Sequence, residues 1–240
     1  MDPLLISAAS GMKARMESLD MLANNLANSG TSGFKADREF YSLYQQQLPV
    51  VETRWTDFSQ GTTLPTGNPL NLALSGNGFF ALNGPAGIVY TRNGSFQISQ
   101  GNQLASAEGY TLRNTLNMGN PITVDPAQDI VIGKDGTVTQ GGQPVGQIEI
   151  GLLPSAVNQV SKLGNSYFAL VSSAGSATPA GAAPASAEIQ QGHLEQSNVP
   201  VADVAVRLVS VMRQFEMLQK AMNISSEMSR QAIQEVAKVA

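Results

Sequence analysis

Both ends of this 240-residue chain carry apolar heptads, and its middle carries none. Leu5, Met12, Leu19 and Leu26 recur every seven residues, with Ala9, Met16 and Ala23 four after the first three, so one apolar seam runs down an N-terminal helix. Towards the C-terminus Val204, Val211, Leu218, Ala232 and Val239 form one row and Leu208, Phe215, Met222 and Val236 a second, interrupted by Ser225 and Ser229. A helix whose stripe has no mate is marginal in water, because propensity alone rarely offsets nucleation. Packing the first segment on the last solves the problem for both. The expected fold is therefore α+β: long N- and C-terminal helices forming an antiparallel coiled-coil stem, with an inserted all-β domain. The boundaries this implies are 1–35 with 198–240 for a discontinuous helical coiled-coil assembly domain, 36–68 for a linker, and 69–197 for the β-rich part. Long terminal helices that also bundle with neighbouring copies are how filaments grow.

The middle is turn-rich. Charged residues make up only 13% of the chain, and 23 Gly and 12 Pro, with many Ser, Thr, Asn and Gln, fill the difference. A hydrophobic fraction of 42% suffices for a core, which excludes a disordered tail. Cysteine is absent, so neither a disulfide framework nor thiolate chemistry is open to it.

The two ends nearly balance in charge, and the formal net charge of -4 falls on the central segment. No basic run interleaves with aromatics, so nucleic acid is not an expected partner. No apolar stretch approaches the roughly 20 residues that span a bilayer, so membrane insertion is not expected either. The start, Met1-Asp2-Pro3, lacks the basic n-region of a cleavable secretory signal.

Along the chain, Asp2 is placed to cap a helix running from Pro3 to about Asn28, and Gly30 to end it in the left-handed conformation. The spacing from Phe34 to Tyr44 fits a second short helix. Leu70, Leu72 and Leu74 alternate with Asn71, Ala73 and Ser75, the period of a half-buried strand. Asn77-Gly78, Asn83-Gly84, Asn93-Gly94 and Asp135-Gly136 are hairpin-turn dipeptides, with strands expected at 79–82, 88–91, 95–98, 110–112, 122–124, 130–132, 137–139 and 145–153. Residues 172–187 are nearly all Ser, Ala, Gly, Thr and Pro and read as a flexible surface loop. Asn198 or Asp203 is placed to cap a last helix of about 38 residues.

Catalytic chemistry has little to work with. His193 is the single histidine, so no His-based metal cluster forms, and Asp125, Asp129 and Asp135 sit near turns rather than as a paired acid and base. Gly76-Asn77-Gly78 lacks the third glycine and following helix of a dinucleotide site. No catalytic, metal or cofactor-binding residue is expected, and no cofactor. The candidate functional residues are those of the seams: Leu5, Met12, Met16, Leu19 and Leu26 at one end, and Val204, Leu208, Val211, Phe215, Leu218 and Met222 at the other. Met21 and Met217 lie off the strict seam and are the better candidates for contact with another subunit.

Three motifs then carry a resemblance. Ala23-Asn24-Asn25-Leu26-Ala27-Asn28, followed by Thr31-Ser32-Gly33-Phe34-Lys35, resembles the N-terminal signature of bacterial flagellar rod and hook proteins. Leu72-Ala73-Leu74-Ser75-Gly76-Asn77-Gly78-Phe79-Phe80 with Tyr90-Thr91-Arg92-Asn93-Gly94-Ser95-Phe96 is similar to the central motif of that family. Ser197-Asn198-Val199 with Arg213-Gln214-Phe215-Glu216 and Lys220 is similar to its C-terminal one. Leu74 stands where isoleucine is commoner, and Pro200 breaks the usual polar run.

The resemblance implies a non-enzymatic rod subunit, helically assembled with its terminal helices as an inner coiled-coil layer and its β-rich part outside. It also implies a torque-transmitting place in the flagellar basal body across the periplasm, other rod proteins and copies of itself as partners, and passage through the flagellar type III export apparatus. The short spacing of about 37 positions between Lys35 and Leu72 favours the proximal rod over a distal rod or hook-family subunit. An extracellular β-rich enzyme with helical oligomerisation arms is the alternative from another class.

Overall fold

Local chemistry sets the limits of the two helices. A computed structural model describes residues 3–43, 49–153, 160–164, 166–170, 183–184 and 187–239. Helix α1 (Pro3–Ala27) ends where the Asn28 side-chain amide and backbone N–H both donate to the Asn24 carbonyl, at 2.9 and 3.1 Å. Helix α2 (Val201–Val239) starts just after Pro200, whose carbonyl accepts the Val204 N–H, and Asp203 in its first turn faces the positive end of the helix dipole. Two expectations fail here. The positive φ falls at Gly33 (+68°) and not at Gly30, and the Asn198 side chain is bound elsewhere. Asp2 lies outside the described residues.

Between the helices run β1 (Asp37–Leu43), β2 (Pro49–Thr56), β3 (Thr63–Pro65), β4 (Leu72–Ser75), β5 (Phe79–Gly84) and β6 (Gly87–Thr91). They are followed by β7 (Phe96–Ile98), β8 (Leu104–Ser106), β9 (Thr111–Leu112), β10 (Ile130–Ile132), β11 (Thr137–Gln140) and β12 (Gln143–Gln147). The series closes with β13 (Ile150–Leu152), β14 (Val160–Gly164), β15 (Tyr167–Leu170), β16 (Ala183–Pro184), β17 (Glu188–Gln191) and β18 (His193–Glu195). The chain divides into two units, one of residues 1–28, 37–57 and 199–240, the other of residues 29–36 and 58–198.

In the first unit α1 packs against α2 and against the antiparallel hairpin β1–β2. That hairpin replaces two expectations at once. The short helix read from Phe34 to Tyr44 is β1, and the 36–68 stretch read as a linker carries β1, β2 and β3. Aromatic spacing in a segment this short fits either period, and antiparallel pairing from Asp37↔Thr56 to Leu43↔Pro49 decides for strand.

The second unit is built on one large sheet, ordered β14-β15-β6-β5-β9-β8-β7, with β13 joined to β5 and β16 to β13. Strand β5 is its keel. Phe80 and Leu82 face a cluster with Leu72, Leu74, Phe96, Leu104, Leu112, Ile122, Val138 and Ile189, while Phe79 and Ala81 face another with Tyr90, Leu153 and Phe168. Each such side chain contributes about 1.5–3 kcal/mol on full burial. Phe58, Phe79 and Phe168 meet edge to face with centroids 5.2–5.7 Å apart, and Phe80 meets Phe96 at 5.2 Å.

The expected strand at 122–124 is absent. Thr123 makes an isolated bridge to Gln103, and Ile122 and Val124 are core. The long strand expected at 145–153 divides into β12 and β13 about Ile148, which bridges to Asn114. Asp135-Gly136 does turn β10 into β11, with Gly136 at φ +84°. Asn83-Gly84 instead continues β5, and the chain reverses over residues 85–86. Apart from β16 and residue 187, the loop expected at 172–187 lies outside the described residues.

Candidate functional site

On α2 the expected row faces inward: Val204 is buried, and Leu208, Val211, Phe215, Leu218 and Met222 are half-buried. On α1 the inward stripe is rotated from the expected one. Gly11, Ala14, Ser18, Met21, Leu22 and Asn25 are buried; Met12, Leu19 and Leu26 lie half-buried at its edge; Ala9, Met16 and Ala23 are exposed. The side chain of Leu5 lies outside the described residues. Met16 is therefore no seam residue within the chain, being 54% exposed, and Met21 is core rather than a free contact.

The β1–β2 hairpin explains the rotation, because α1 must satisfy two neighbours. Ser18 Oγ donates to Glu39 Oε1 at 2.7 Å, and Asn25 exchanges two hydrogen bonds with the Asp37 backbone, at 2.8 and 2.9 Å. Gly11 keeps the α2 side slim: a Cβ built there meets Leu218 Cδ1 at 3.5 Å.

A second apolar row remains open. Val206, Val209, Met217, Ile224 and Met228 are exposed on α2, and Ala205, Ser210, Arg213 and Gln214 complete a shallow groove with the first three. With 39 residues against 25, α2 also outlasts α1. Met217 is 62% exposed.

The motif residues of the second unit fulfil a different role: they bring distant backbones together. A Cβ on Gly33 would lie 2.2 Å from the Asn93 nitrogen, and one on Gly94 would lie 1.6 Å from the Leu72 carbonyl oxygen. Only glycine permits either approach. Thr91 Oγ1 donates to the Ser166 carbonyl and accepts the Asn93 N–H, and Tyr90 and Phe34 are buried, the latter under Lys162 Nζ at 4.2 Å. Gly76, at φ +101°, donates its N–H to Gln60 Oε1, while Gly78 leads into Phe79 and the keel strand. Asn198 accepts the Ala36 N–H at 2.8 Å and donates to the Ser59 carbonyl and hydroxyl. Asn24 is exposed, Asn28 and Ser197 are half-buried, and Val199 is buried.

At the centre of these approaches sits a residue that sequence reasoning passed over. Glu195 is 0% exposed, and its carboxylate accepts from Lys35 Nζ at 2.6 Å, the Gly61 N–H at 2.8 Å and Arg92 at 3.0 Å. Lys35 also donates to the Ser59 carbonyl, and Arg92 to the carbonyls of Leu74 and Gly76. Arg92 Nε is buried without a hydrogen-bond partner. One carboxylate thus answers two buried cations. Burial lowers the guanidinium pKa, and the Glu195 charge opposes that shift. A carboxylate so fully engaged and shut from water is poorly placed for acid or base catalysis, and what the cluster does is hold four segments, those of Lys35, Gly61, Arg92 and Glu195, in register. The one available sequence signal was the rarity of charge: Lys35 and Arg92 are the cations of two motifs, and Glu195 stands two residues before the third.

His193 accepts a half-buried place in β18, with Nδ1 2.9 Å from the Gln191 carbonyl. Among the described residues no group of three or more His, Asp or Glu is placed to hold a metal, and no helix is long and apolar enough to cross a membrane.

Comparison with known proteins adds an independent finding. Residues 5–35 match the family described as flagella basal body rod protein, residues 73–140 the flagellar hook protein FlgE/F/G D1 domain, and residues 190–235 the flagellar basal body rod FlgEFG protein C-terminal. The flagellar basal-body rod protein FlgF of Caulobacter vibrioides is 31% identical over 253 residues, covering 100% of each chain. FlgF of Mesorhizobium japonicum is 34% identical over 156 residues, 62% of this chain and 64% of its own. The rod protein FlgG of Buchnera aphidicola subsp. Acyrthosiphon pisum is 29% identical over 260 residues, 95% of this chain and 97% of its own.

Proposed function

Because this chain belongs to the flagellar basal-body rod protein family, we propose that it is a proximal-rod subunit that assembles helically through α1 and α2 and transmits torque from motor to hook. It is a structural protein of the flagellar basal body and not an enzyme, as its family is. Its partners in this reading are copies of itself and other rod proteins, proximal and distal, reached by way of the flagellar type III export apparatus. What favours the proximal rod over the distal rod or the hook is the 31% identity to a FlgF chain over the whole of both chains, against 29% to a FlgG chain over 95% of this one, together with the short spacing between Lys35 and Leu72.

The observation that carries the assembly reading is the double-sided apolar character of the terminal helices. One row of α2, from Val204 through Leu208, Val211 and Phe215, is turned inward within the chain; the other, from Val206 to Met228, stays in water together with Met16 of α1. Single apolar side chains on a surface need no explanation, but a row at helical spacing along a helix of 39 residues calls for a mate. In the rod, neighbouring helices supply that mate, and the antiparallel pair within each chain becomes one element of a larger coiled-coil layer. Residues 1–28 and 199–240, within the 1–35 and 198–240 expected from the sequence, then form the helical part of the assembly domain, and the glycines and aromatics of the three motifs fix the β-rich unit.

Replacing Phe215 or Leu208 with Asp buries a charge in the seam while leaving residues 58–198 untouched. The expected result is a protein that keeps its β-sheet signal and its urea transition but does not enter rods, leaving cells non-motile. Normal motility with either substitution would refute the reading.

A further inference from the structure

The two segments by which the chain enters and leaves the β-rich unit, 29–36 and 192–198, contribute no residue to the two apolar clusters of that unit. Among the described residues, strand β18 pairs with the three-residue β3 alone. Besides the buried Phe34 and Ala36, what holds these segments is polar, and it converges on one carboxylate. Glu195 takes Lys35 from the first segment, Gly61 from the approach to β3 and Arg92 from the end of β6. The surrounding backbone bonds follow the same seam: Gly33 N–H to the Glu195 carbonyl, Asn198 N–H to that of Phe34, Gln196 N–H to that of Thr62.

Removing the negative charge would leave two cations facing each other where both are at most 2% exposed. A buried pair broken from one side costs far more than the intact pair contributes, because the remaining charge is neither solvated nor answered. The penalty falls on the connecting segments, since the sheet around β5 has its own apolar clusters on both faces.

We propose that Glu195 is a latch: with its carboxylate docked, segments 29–36 and 192–198 close onto the β-rich unit as one cooperative piece, and without it they open together ahead of the sheet. These segments run directly into α1 and α2, so, resting on the assembly reading above, the latch governs whether the two helices are offered as a pair. The opening itself does not depend on that reading.

Amide hydrogen exchange on the folded full-length chain tests this, comparing wild type with Glu195→Gln and Lys35→Met. In Glu195→Gln the amides of Gly33, Ala36, Gly61, Gln196 and Asn198 should exchange ~100-fold faster, while those of Ala81, Arg113 and Val124 change by less than ~3-fold. Lys35→Met leaves a balanced Arg92–Glu195 pair and should accelerate the same set by ~10-fold. Acceleration of both sets in step, or an unchanged first set, overturns the latch. Should Glu195→Gln fail to fold, Lys35→Met decides by the same criterion. A variant that opens as expected yet still builds rods would refute the assembly consequence and leave the latch standing.

Discussion

Gly11 lies inside α1 on its buried side, facing Leu218 of α2, and its replacement by alanine bears directly on whether these helices pack as described. An interior helical glycine costs about 1 kcal/mol relative to alanine through backbone entropy. The added methyl would sit 3.5 Å from Leu218 Cδ1 and 4.0 Å from Cδ2, ordinary van der Waals contact with no overlap. Burying it contributes up to about 0.8 kcal/mol more. Gly11→Ala should therefore stabilise the helical unit by ~1.5 kcal/mol. In a unit of roughly 90 residues each kcal/mol moves the melting midpoint by about 4–8 °C. Circular dichroism at 222 nm, dominated by α1 and α2, reads that shift. Repeating the substitution in a Leu218→Ala background isolates the contact, because the propensity part persists and the packing part disappears. A lower melting point for Gly11→Ala, or an equal gain with and without Leu218, would show that the two residues do not face each other.

Three further perturbations address the β-rich unit. Gly94→Ala forces a Cβ to within 1.6 Å of the Leu72 carbonyl oxygen, where Leu72 N–H also bonds the Gly94 carbonyl, so urea unfolding should show a loss above ~3 kcal/mol. Gly30→Ala, with nothing within 4 Å of the new methyl, should stay within ~0.5 kcal/mol of wild type. Tyr167 is held neutral by burial first and by its hydrogen bond to Glu108 next, which push its pKa above the ordinary phenol value. A folded-state pKa above the unfolded one means stability fully present below about pH 10 and lost as the pH climbs through the folded value. The wild-type urea midpoint should therefore fall more steeply above pH 10 than that of Tyr167→Phe, and parallel curves would deny the phenol its role.

The parts of the fold legible in the sequence are those governed by local period. Leu208, Val211, Phe215 and Leu218 face inward as their spacing requires, and Leu72 and Leu74 sit in the core where their alternation puts them. What the sequence hid depends on partners far along the chain. The α1 stripe is turned towards Ser18 and Asn25 because a hairpin from 37–56 claims part of the helix, and nothing in residues 1–28 announces that hairpin. The β1 segment reads as a helix for the same reason, since its aromatic spacing suits one until β2 pairs with it. Glu195 was invisible because its partners stand 160 and 103 residues away, beyond any window in which spacing carries information. Gly94 reads as a turn former from its Asn93-Gly94 dipeptide, yet it and Gly33 are needed for close backbone approach, a requirement that only the folded chain displays.

The chain has no cysteine, so single cysteines introduced at Met16, Val209 and Met217 provide unambiguous reporters of the open rows on the two helices. Maleimide labelling of each variant should be measured on the free protein and again in isolated rods, with a cysteine at the exposed Gln143 of β12 for comparison. Assembly through the terminal helices requires rapid labelling at 16, 209 and 217 in the free chain and strong protection of those positions in the rod. Equal labelling before and after incorporation would mean that the apolar rows remain in water, and that something other than these helices joins one subunit to the next.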